Sequence, residues 1–405
     1  MPILTDYRHF DGKDRETGPI HNALAYQGVV APHTGKPLSE ALMMGVSGGA
    51  AFGYFTFEYQ GYDPHIALLT RNTFDPMETL FDRLALPREV LQTTKPELAM
   101  ENLVRVIESG SVPLVWVDGF SLPYTLLPYD KAMWGMTPVV VYGVEGDTVT
   151  LADRAAKPLT ITVDELMKAR ARVKEDKYRI VVLETPDMTR LPSAVQRGIW
   201  QAISLYTDAP PRGKRDNFGL AAYQHWAAML INTRNKHSWE RYFPAGRRLY
   251  AALAGNIAQP GAFDWICTWS ATDGAERGMY ADFLDEAATI LNKPTLAPVA
   301  ARFRAAAEAW CALANAMLPD GIPLLRETRD LKLRQRDRLR QDGAAALDEL
   351  RAINARLDEI RAEAAENFPM TPAEVVSFRE NLRDHVLKIH DIERDAITAL
   401  QDVMA

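Results

Sequence analysis

Two short stretches near the start of the chain have residue types and spacings that could do chemistry. The first, GKDRET at 12–17, places alternating bases and acids after a glycine. The second, GVSGG at 45–49, could cradle a phosphate, because successive backbone N–H groups can form a nest for an anion. It lacks the GxxxxGK(S/T) spacing of a phosphate-binding loop and follows no strand of a βαβ unit. A structural turn is therefore the favoured interpretation of Gly48 and Gly49, with substrate binding as the alternative.

Metal and nucleophile chemistry have weaker support in the sequence. His9, Asp11, Asp14 and His21 could be drawn together as ligands, but no recognised metal-binding spacing connects them, and we predict no bound metal. Cys267 lies between two tryptophans in WICTW, where no base or cation is near enough in sequence to activate a thiol, so a buried apolar role is favoured. We also predict no cofactor, since no nucleotide-binding fingerprint occurs.

Another candidate lies at the end of an apolar strand. The stretch SVPLVWVDGFSLPY at 111–124 predicts a buried strand that leads to Asp118. Side chains at strand ends often carry function, so Asp118 and Tyr124 are candidate substrate contacts. A capping or turn role for Asp118 is an equally good interpretation.

Composition limits the class of protein. The chain has 405 residues, of which 47% are hydrophobic and 24% charged, with a net charge of −7. This length favours two or more domains, and the composition is typical of a soluble globular protein. The chain has no dense Lys/Arg patch, which argues against nucleic acid as the main partner. No apolar run approaches the roughly 18 residues that a membrane span needs. With two cysteines and no leader-like N-terminus, we expect a cytoplasmic protein.

The first half of the chain alternates between helical and strand patterns. Its clearest element is a hairpin of TPVVVYGV and TVTLAD, joined by Glu145-Gly146-Asp147. Capping boxes, in which a Thr is followed three residues later by Glu, predict helix starts at Thr94, Thr162 and Thr371. Helices gathered at the start with strands later predict an α+β fold with a mainly antiparallel sheet.

Helical patterns dominate from residue 187 onward. We therefore predict two domains, at 1–186 and 187–405, the second being all-α. Within 323–405, an apolar stripe from Leu347 to Ile360 is followed by a break and a second amphipathic helix, which predicts a long helical hairpin. Its mixed-sign charges favour a solvated helix face, and a homodimer interface is the alternative.

Several motifs together resemble a known family. GKDRETGPIHNAL, followed by GKPLSEALMMGVSGGAAFGYFTFEY, resembles the N-terminal domain of the butirosin biosynthesis protein H family. The resemblance implies a papain-like fold, and the family includes an acyltransferase that moves an acyl group from a carrier protein onto an aminoglycoside amine. NFGLAAYQHWAAML and RGMYADFLDEAATIL resemble the helical domain of unknown function that commonly follows, so the resemblance covers nearly the whole chain.

The motifs of the family place its catalytic positions on this chain. The family motif Gly-x-His-Cys-Glu-Thr corresponds to GKDRET, so Asp14 stands at the histidine and Arg15 at the nucleophilic cysteine, while Glu16 and Thr17 match. In the family, a later strand begins with the histidine that acts as base. In this chain Thr137 stands at that position. The resemblance therefore implies a site formed by these residues.

The chemistry of the substituted residues differs from that of a Cys–His pair. Arg15 has no lone pair to spare and stays protonated, and Thr137 is no base near neutral pH, so a thioester intermediate is excluded at this site. Asp153 matches the acid that would orient the histidine. We expect it instead to support the hairpin through Arg154 or backbone N–H groups.

These observations leave three hypotheses for function. The first is acyl transfer or amide formation in specialised metabolism without a covalent cysteine intermediate, with Arg15 binding a carboxylate or phosphopantetheine phosphate and Glu16 or Asp14 acting as base for an amine. Its partners would be a small-molecule substrate and a carrier-protein-bound acyl group. The second is a pseudoenzyme that binds a small molecule or a partner protein. The third is an assembly role for the C-terminal helices.

Overall fold

The computed structural model of the protein describes residues 2–129, 133–256 and 259–405. Its α-helices and β-strands, in chain order, are α1 (Thr17–Tyr26), α2 (Glu40–Val46), β1 (Ala50–Phe57), β2 (His65–Arg71), α3 (Pro76–Arg83), β3 (Arg88–Leu91), α4 (Pro96–Glu108), β4 (Pro113–Asp118), β5 (Met136–Glu145), β6 (Thr148–Ala152), β7 (Leu159–Thr162), α5 (Val163–Arg170), β8 (Ile180–Leu183), α6 (Leu191–Thr207), α7 (Gly219–Ile231), α8 (Trp239–Tyr242), α9 (Arg247–Ala254), α10 (Arg277–Ile290), α11 (Leu296–Met317), α12 (Pro323–Asp342), α13 (Leu347–Glu366) and α14 (Pro372–Met404).

The predicted α+β class is confirmed. An antiparallel sheet lies in the N-terminal region, and the C-terminal part is helical and ends in the long helix α14. The sheet has six strands in the order β3-β8-β4-β5-β6-β7. Every residue of β4 is buried, because this strand is inside the sheet and α1, α4 and α5 all pack against it.

Local sequence signals account for most element boundaries. The hairpin of β5 and β6 is confirmed, with Glu145 paired to Thr148 across the turn. The capping boxes at Thr162 and Thr371 are confirmed at the starts of α5 and α14. The third is wrong, since α4 has Lys95 as its N-cap and no side-chain cap there. Pro96 disfavours helical backbone at the residue before it, which moves the helix start past Thr94.

The chain divides into two compact units that are interleaved in sequence. Unit 1 comprises residues up to 43 together with 80–191 and 335–352, and it contains the six-stranded sheet. Unit 2 comprises 44–79, 192–334 and 353–405, and it contains the antiparallel pair of β1 and β2 with most of the helices. The predicted domain boundary near 187 and the hairpin at 323–405 stay predictions.

Unit 2 is organised around a buried ion pair. Arg277 and Glu393 have fully buried side chains, with Nε of the arginine 2.7 Å from a carboxylate oxygen of the glutamate. Tyr206, Tyr223 and the indole of Trp310 also donate hydrogen bonds to that carboxylate. The guanidinium in turn donates to backbone carbonyls on β1 and β2, so the pair joins these strands to α10 and α14. Because the described partners satisfy both charges, the cluster is structural.

Candidate functional site

The candidate site lies where α1 begins in unit 1. The segment Gly12–Gly18 turns tightly into the helix, because a Cβ at Gly12 would come within 2.4 Å of the Gly18 carbonyl oxygen. One carboxylate oxygen of Asp14 accepts hydrogen bonds from the backbone N–H groups of Glu16 and Thr17, at 2.9 and 2.8 Å. Asp14 therefore caps α1 by satisfying N–H groups at its start.

A second carboxylate holds the same turn from outside it. Glu40 at the start of α2 accepts hydrogen bonds from the backbone N–H groups of Lys13 and Asp14, at 2.8 and 3.0 Å, and the hydroxyl of Thr17 lies 3.3 Å away. Burial and the neighbouring charge of Asp14 raise the pKa of Glu40. Thr17 itself is buried, and its hydroxyl donates to Asp14. Among the predicted site residues, Asp14 and Thr17 thus act together to shape the helix start.

Arg15 lies beside a second ion pair. The guanidinium of Arg154 donates from Nε and one terminal nitrogen to the two oxygens of Asp153, at 2.7 and 2.9 Å, and the hydroxyl of Tyr124 donates to the same carboxylate at 2.9 Å. Asp153 thus receives the support from Arg154 that the sequence predicts. Arg154 adopts a φ of 52°, a left-handed conformation that is uncommon outside glycine.

The charges in this cluster influence one another. Burial lowers the pKa of Arg15 to about 9, and the nearby positive charge of Arg154 acts in the same direction. The half-buried Arg15 side chain is still a cation at neutral pH. Burial alone would raise the pKa of the Asp153 carboxyl, but Arg154 outweighs it, with help from Tyr124 and Arg15, and holds that pKa below its ordinary value. Asp14 and Glu16 also act on Arg15 and favour its charged form, so the two guanidiniums of the cluster lie among several carboxylates, of which Asp153 is held by both Arg154 and Tyr124.

Antiparallel pairing brings the strand-borne candidates toward the same end of three neighbouring strands. Asp118 ends β4 and pairs with Met136 at the start of β5, and Thr137 pairs with Val117. Asp153 follows β6 in the same direction, because β6 runs antiparallel to β5 and its last residue, Ala152, pairs with Val140. Asp118, Thr137 and Asp153 thus lie toward the same end of β4, β5 and β6.

Asp118 is fully buried and receives several hydrogen bonds. Its carboxylate accepts from the N–H groups of Phe120 and Gly135 and from the hydroxyl of Ser121, with Arg172 at 3.6 Å. Asp118 therefore has the turn role that the sequence offered as one interpretation. Its carboxylate accepts hydrogen bonds from both ends of the connection between β4 and β5.

The glycine pair at 48 and 49 belongs to unit 2, while the cluster around Arg15 belongs to unit 1. Gly48 and Gly49 have φ values of 118° and 72°. A Cβ at either position would lie 2.6 Å from a neighbouring side chain, that of Asn72 or Tyr280 respectively. This close packing favours the structural-turn interpretation over an anion nest.

The two histidines near α1 make contacts of their own. His21 donates a hydrogen bond from Nδ1 to the Leu38 carbonyl at 2.7 Å, and its Nε2 lies 3.1 Å from a carboxylate oxygen of Asp11. Burial opposes the charged ring, but the hydrogen bond to Asp11 outweighs it and raises the pKa of His21. The ring of His9 packs against Tyr7 and Tyr26. In the described part of the chain, no group of three or more His, Cys, Asp or Glu residues could hold a metal ion.

Sequence reasoning missed the part played by Glu40. The residue lies in the segment PLSEAL, which carries the family resemblance, but no local pattern shows that its carboxylate reaches Lys13 and Asp14. The separation of more than 25 residues hides this contact. An acid that follows a Ser at a helix start is normally interpreted as stabilising the helix through its dipole. That interpretation gives no reason to expect the hydrogen bonds that Glu40 accepts from Lys13 and Asp14.

The start of α1 and the end of β6 meet at the cluster of Arg15, Asp153 and Arg154. Comparison with known proteins agrees with the predicted resemblance. Residues 15–154 match the family of butirosin biosynthesis protein H, N-terminal domain. Residues 272–324 match a domain of unknown function (DUF4872). No curated protein matches the chain. The family match, which begins at Arg15 and ends at Arg154, implies a biosynthetic acyltransferase-like protein.

None of the helices described at 2–129, 133–256 and 259–405 is long and apolar enough to cross a membrane.

Proposed function

We propose that this protein is a biosynthetic relative of the acyltransferases that binds an acyl-bearing anion non-covalently at a papain-like site. The single observation that carries the proposal is the two-pronged ion pair of Arg154 and Asp153. Both oxygens of the carboxylate are occupied by guanidinium donors, and Tyr124 adds a third hydrogen bond. An acid in this state is poorly placed to orient an imidazole, which a cysteine mechanism requires of it.

The chemistry of Arg15 supports the same proposal. The family match begins at Arg15. The motif resemblance places the family's nucleophile at this position, and a guanidinium cannot attack a carbonyl carbon. It can bind a carboxylate or phosphate through two parallel N–H donors. Asp14 and Asp153 accept hydrogen bonds from protein donors, so the guanidiniums are the groups through which this site would recognise an anion. We therefore propose acylated 4′-phosphopantetheine, free or on a carrier protein, as the ligand class.

The test combines intact mass with binding affinity. Calorimetry should show that octanoyl-4′-phosphopantetheine binds the wild-type chain, and that Arg15→Gln weakens binding about tenfold, as expected for loss of a charge-assisted contact. The matched control is Arg105→Gln, since Arg105 is exposed on α4 and contacts only Asn102 among the contacts described. Intact mass spectrometry after incubation should show an unchanged protein mass.

Two results would overturn this proposal. The first is a protein mass increased by one acyl group, which would show a covalent intermediate. The second is equal affinity of wild type and Arg15→Gln for the phosphorylated ligand. Octanoyl-pantetheine, which lacks the phosphate, shows whether Arg15 recognises that group, because the variant should then bind it as the wild type does.

A second candidate function is direct amide formation, and the environment of Glu40 favours it. A carboxyl whose pKa is raised by burial and by Asp14 is closer to the range in which it can accept a proton from an amine. The amine nitrogen would attack the thioester carbonyl and form the C–N bond, and Glu40 would take the proton from that nitrogen. The C–S bond would then break, and the proton would pass to the sulfur, which leaves as the thiol. Incubation with a primary amine and octanoyl-4′-phosphopantetheine measures the amide directly. Turnover that disappears in Glu40→Gln, while ligand binding persists, would favour this function over binding alone.

A further inference from the structure

A separate cleft lies in unit 1 beside α5. Its volume is about 640 Å³, within the usual range of about 300–1,000 Å³ for small-molecule sites. One wall is the segment after β4, including Phe120, Leu122 and Leu127, and the other is the end of α5 with Ala171 and Arg172. The cleft therefore has an apolar body with a cation on one side.

The protein holds this cleft open through the residues behind it. Asp118 fixes the segment after β4 by accepting hydrogen bonds from Phe120, Ser121 and Gly135. Arg172 donates to the carbonyl of Met133 and lies with its guanidinium 4.6 Å from the ring centre of Tyr129. The apolar walls are thus positioned by polar contacts on the far side, and a ligand need not order them.

The charged groups that line the cleft are two cations and one acid. Glu165 is engaged in the capping box of α5, where its carboxylate accepts a hydrogen bond from the N–H of Thr162 at 2.8 Å. Lys168 is 70% exposed and pairs with Asp164 on the helix surface. Arg172 lies 3.6 Å from Asp118, whose carboxylate also holds the segment after β4. Arg172 also donates from a terminal nitrogen to the Tyr129 hydroxyl at 2.7 Å. A ligand entering the cleft therefore meets two lining cations and one lining acid beside an apolar wall.

We infer that this cleft binds an amphipathic anion, with its apolar chain against Phe120, Leu122 and Leu127 and its carboxylate toward Arg172 and Lys168. The site is distinct from the cluster around Arg15, which does not line it. The two are connected through one short segment, because Leu122 and Pro123 line the cleft and the next residue, Tyr124, donates to Asp153. The inference does not depend on the function proposed for Arg15.

The probe is decanoate, compared with decyltrimethylammonium, which has the same chain and the opposite charge. Calorimetry below the micelle concentration should show that decanoate binds to one site and that the cation binds about tenfold more weakly or not at all. Ala171→Trp fills the cleft from a partly exposed position at the end of α5, and it should abolish binding. Lys168→Glu should weaken binding several-fold through charge.

The matched control is Lys174→Glu, an equal change of charge at an exposed residue that does not line the cleft, and it should bind decanoate as the wild type does. Arg15→Gln should also bind decanoate normally, which separates this inference from the proposed function. The inference is overturned if decanoate does not bind, if the cation binds equally well, or if Ala171→Trp leaves the affinity unchanged. Circular dichroism of each variant confirms that a loss of binding is not a loss of folding.

Discussion

Each compact unit contains an arginine–carboxylate pair that also receives tyrosine hydroxyls, but the two pairs differ in their access to solvent. In unit 2, the side chains of Arg277 and Glu393 are both 0% exposed. In unit 1, Asp153 is almost as buried, but the side chain of Arg154 is 24% exposed. The unit 1 pair also lies beside a second cation, Arg15, which influences the pKa of Asp153. The same chemistry thus makes a closed structural centre in one unit and an open cluster in the other.

The difference shows what distinguishes a structural ion pair from a candidate site. Glu393 accepts hydrogen bonds from two tyrosines and a tryptophan, and Arg277 reaches carbonyls of two strands, so ligand access would require unfolding of this core. The unit 1 cluster keeps an exposed edge and an additional guanidinium. Burial of both partners indicates structure, whereas a partly exposed guanidinium beside a second cation is a candidate for recognition.

The largest effect is expected from a substitution that breaks the fully buried pair of Arg277 and Glu393. Glu393→Gln leaves Arg277 buried without its counter-charge, and we expect unit 2 to lose about 3–5 kcal/mol of unfolding free energy. Hydrogen exchange read by peptide measures this loss separately in each unit. The control is Asp282→Asn, which removes one exposed partner of Arg304 and should cost less than about 1 kcal/mol. Equal protection of α10 and α14 in wild type and Glu393→Gln would contradict the structural role.

A smaller effect is expected from the open pair. Asp153→Asn removes a carboxylate from two guanidiniums, one of which can turn toward solvent, so we expect unit 1 to lose about 1–3 kcal/mol. The same variant should bind octanoyl-4′-phosphopantetheine at least as tightly as the wild type, because less negative charge opposes the ligand. If the stability loss matches that of Glu393→Gln, the distinction between the two pairs fails.

The pH dependence of this variant follows from the pKa of Asp153, which is held below its ordinary value of 3.8. A carboxyl with a depressed folded-state pKa contributes stability that is present above 3.8 and is lost as the pH falls through the folded-state pKa. Unit 1 of the wild type should therefore lose protection in acid, and Asp153→Asn should lose less over the same range. Parallel acid profiles would show that Asp153 is not stabilised by Arg154 and Tyr124.

Signals that act over a few residues made much of the fold predictable. The hairpin of β5 and β6 has alternating apolar residues and a Gly turn, and two of three capping boxes form where predicted. The third failed because Pro96 fixes the backbone of Lys95, a local effect stronger than the pattern around Thr94.

Contacts between distant residues explain what the sequence could not predict. Arg277 and Glu393 are 116 residues apart, and each occurs in a helical pattern that is equally typical of an exposed charge. The cluster of Arg15, Asp153 and Arg154 was predictable because motif positions connect residues that are distant in sequence. The cleft beside α5 was not, since Ala171 and Arg172 have no motif and meet Leu122 only in the folded unit.

The smallest effect is expected from two matched helix caps, Thr162 in unit 1 and Thr371 in unit 2. Thr162 and Thr371 form the same capping box, in which the hydroxyl accepts from the N–H three residues later and the Glu accepts in return. Thr162→Ala and Thr371→Ala should each cost about 1 kcal/mol. Because Glu165 also lines the cleft, Thr162→Ala should additionally release that carboxylate and weaken decanoate binding, whereas Thr371→Ala should leave it unchanged. Calorimetry on both variants measures the difference, and equal decanoate affinities would show that the cap of α5 does not restrain Glu165 at the cleft.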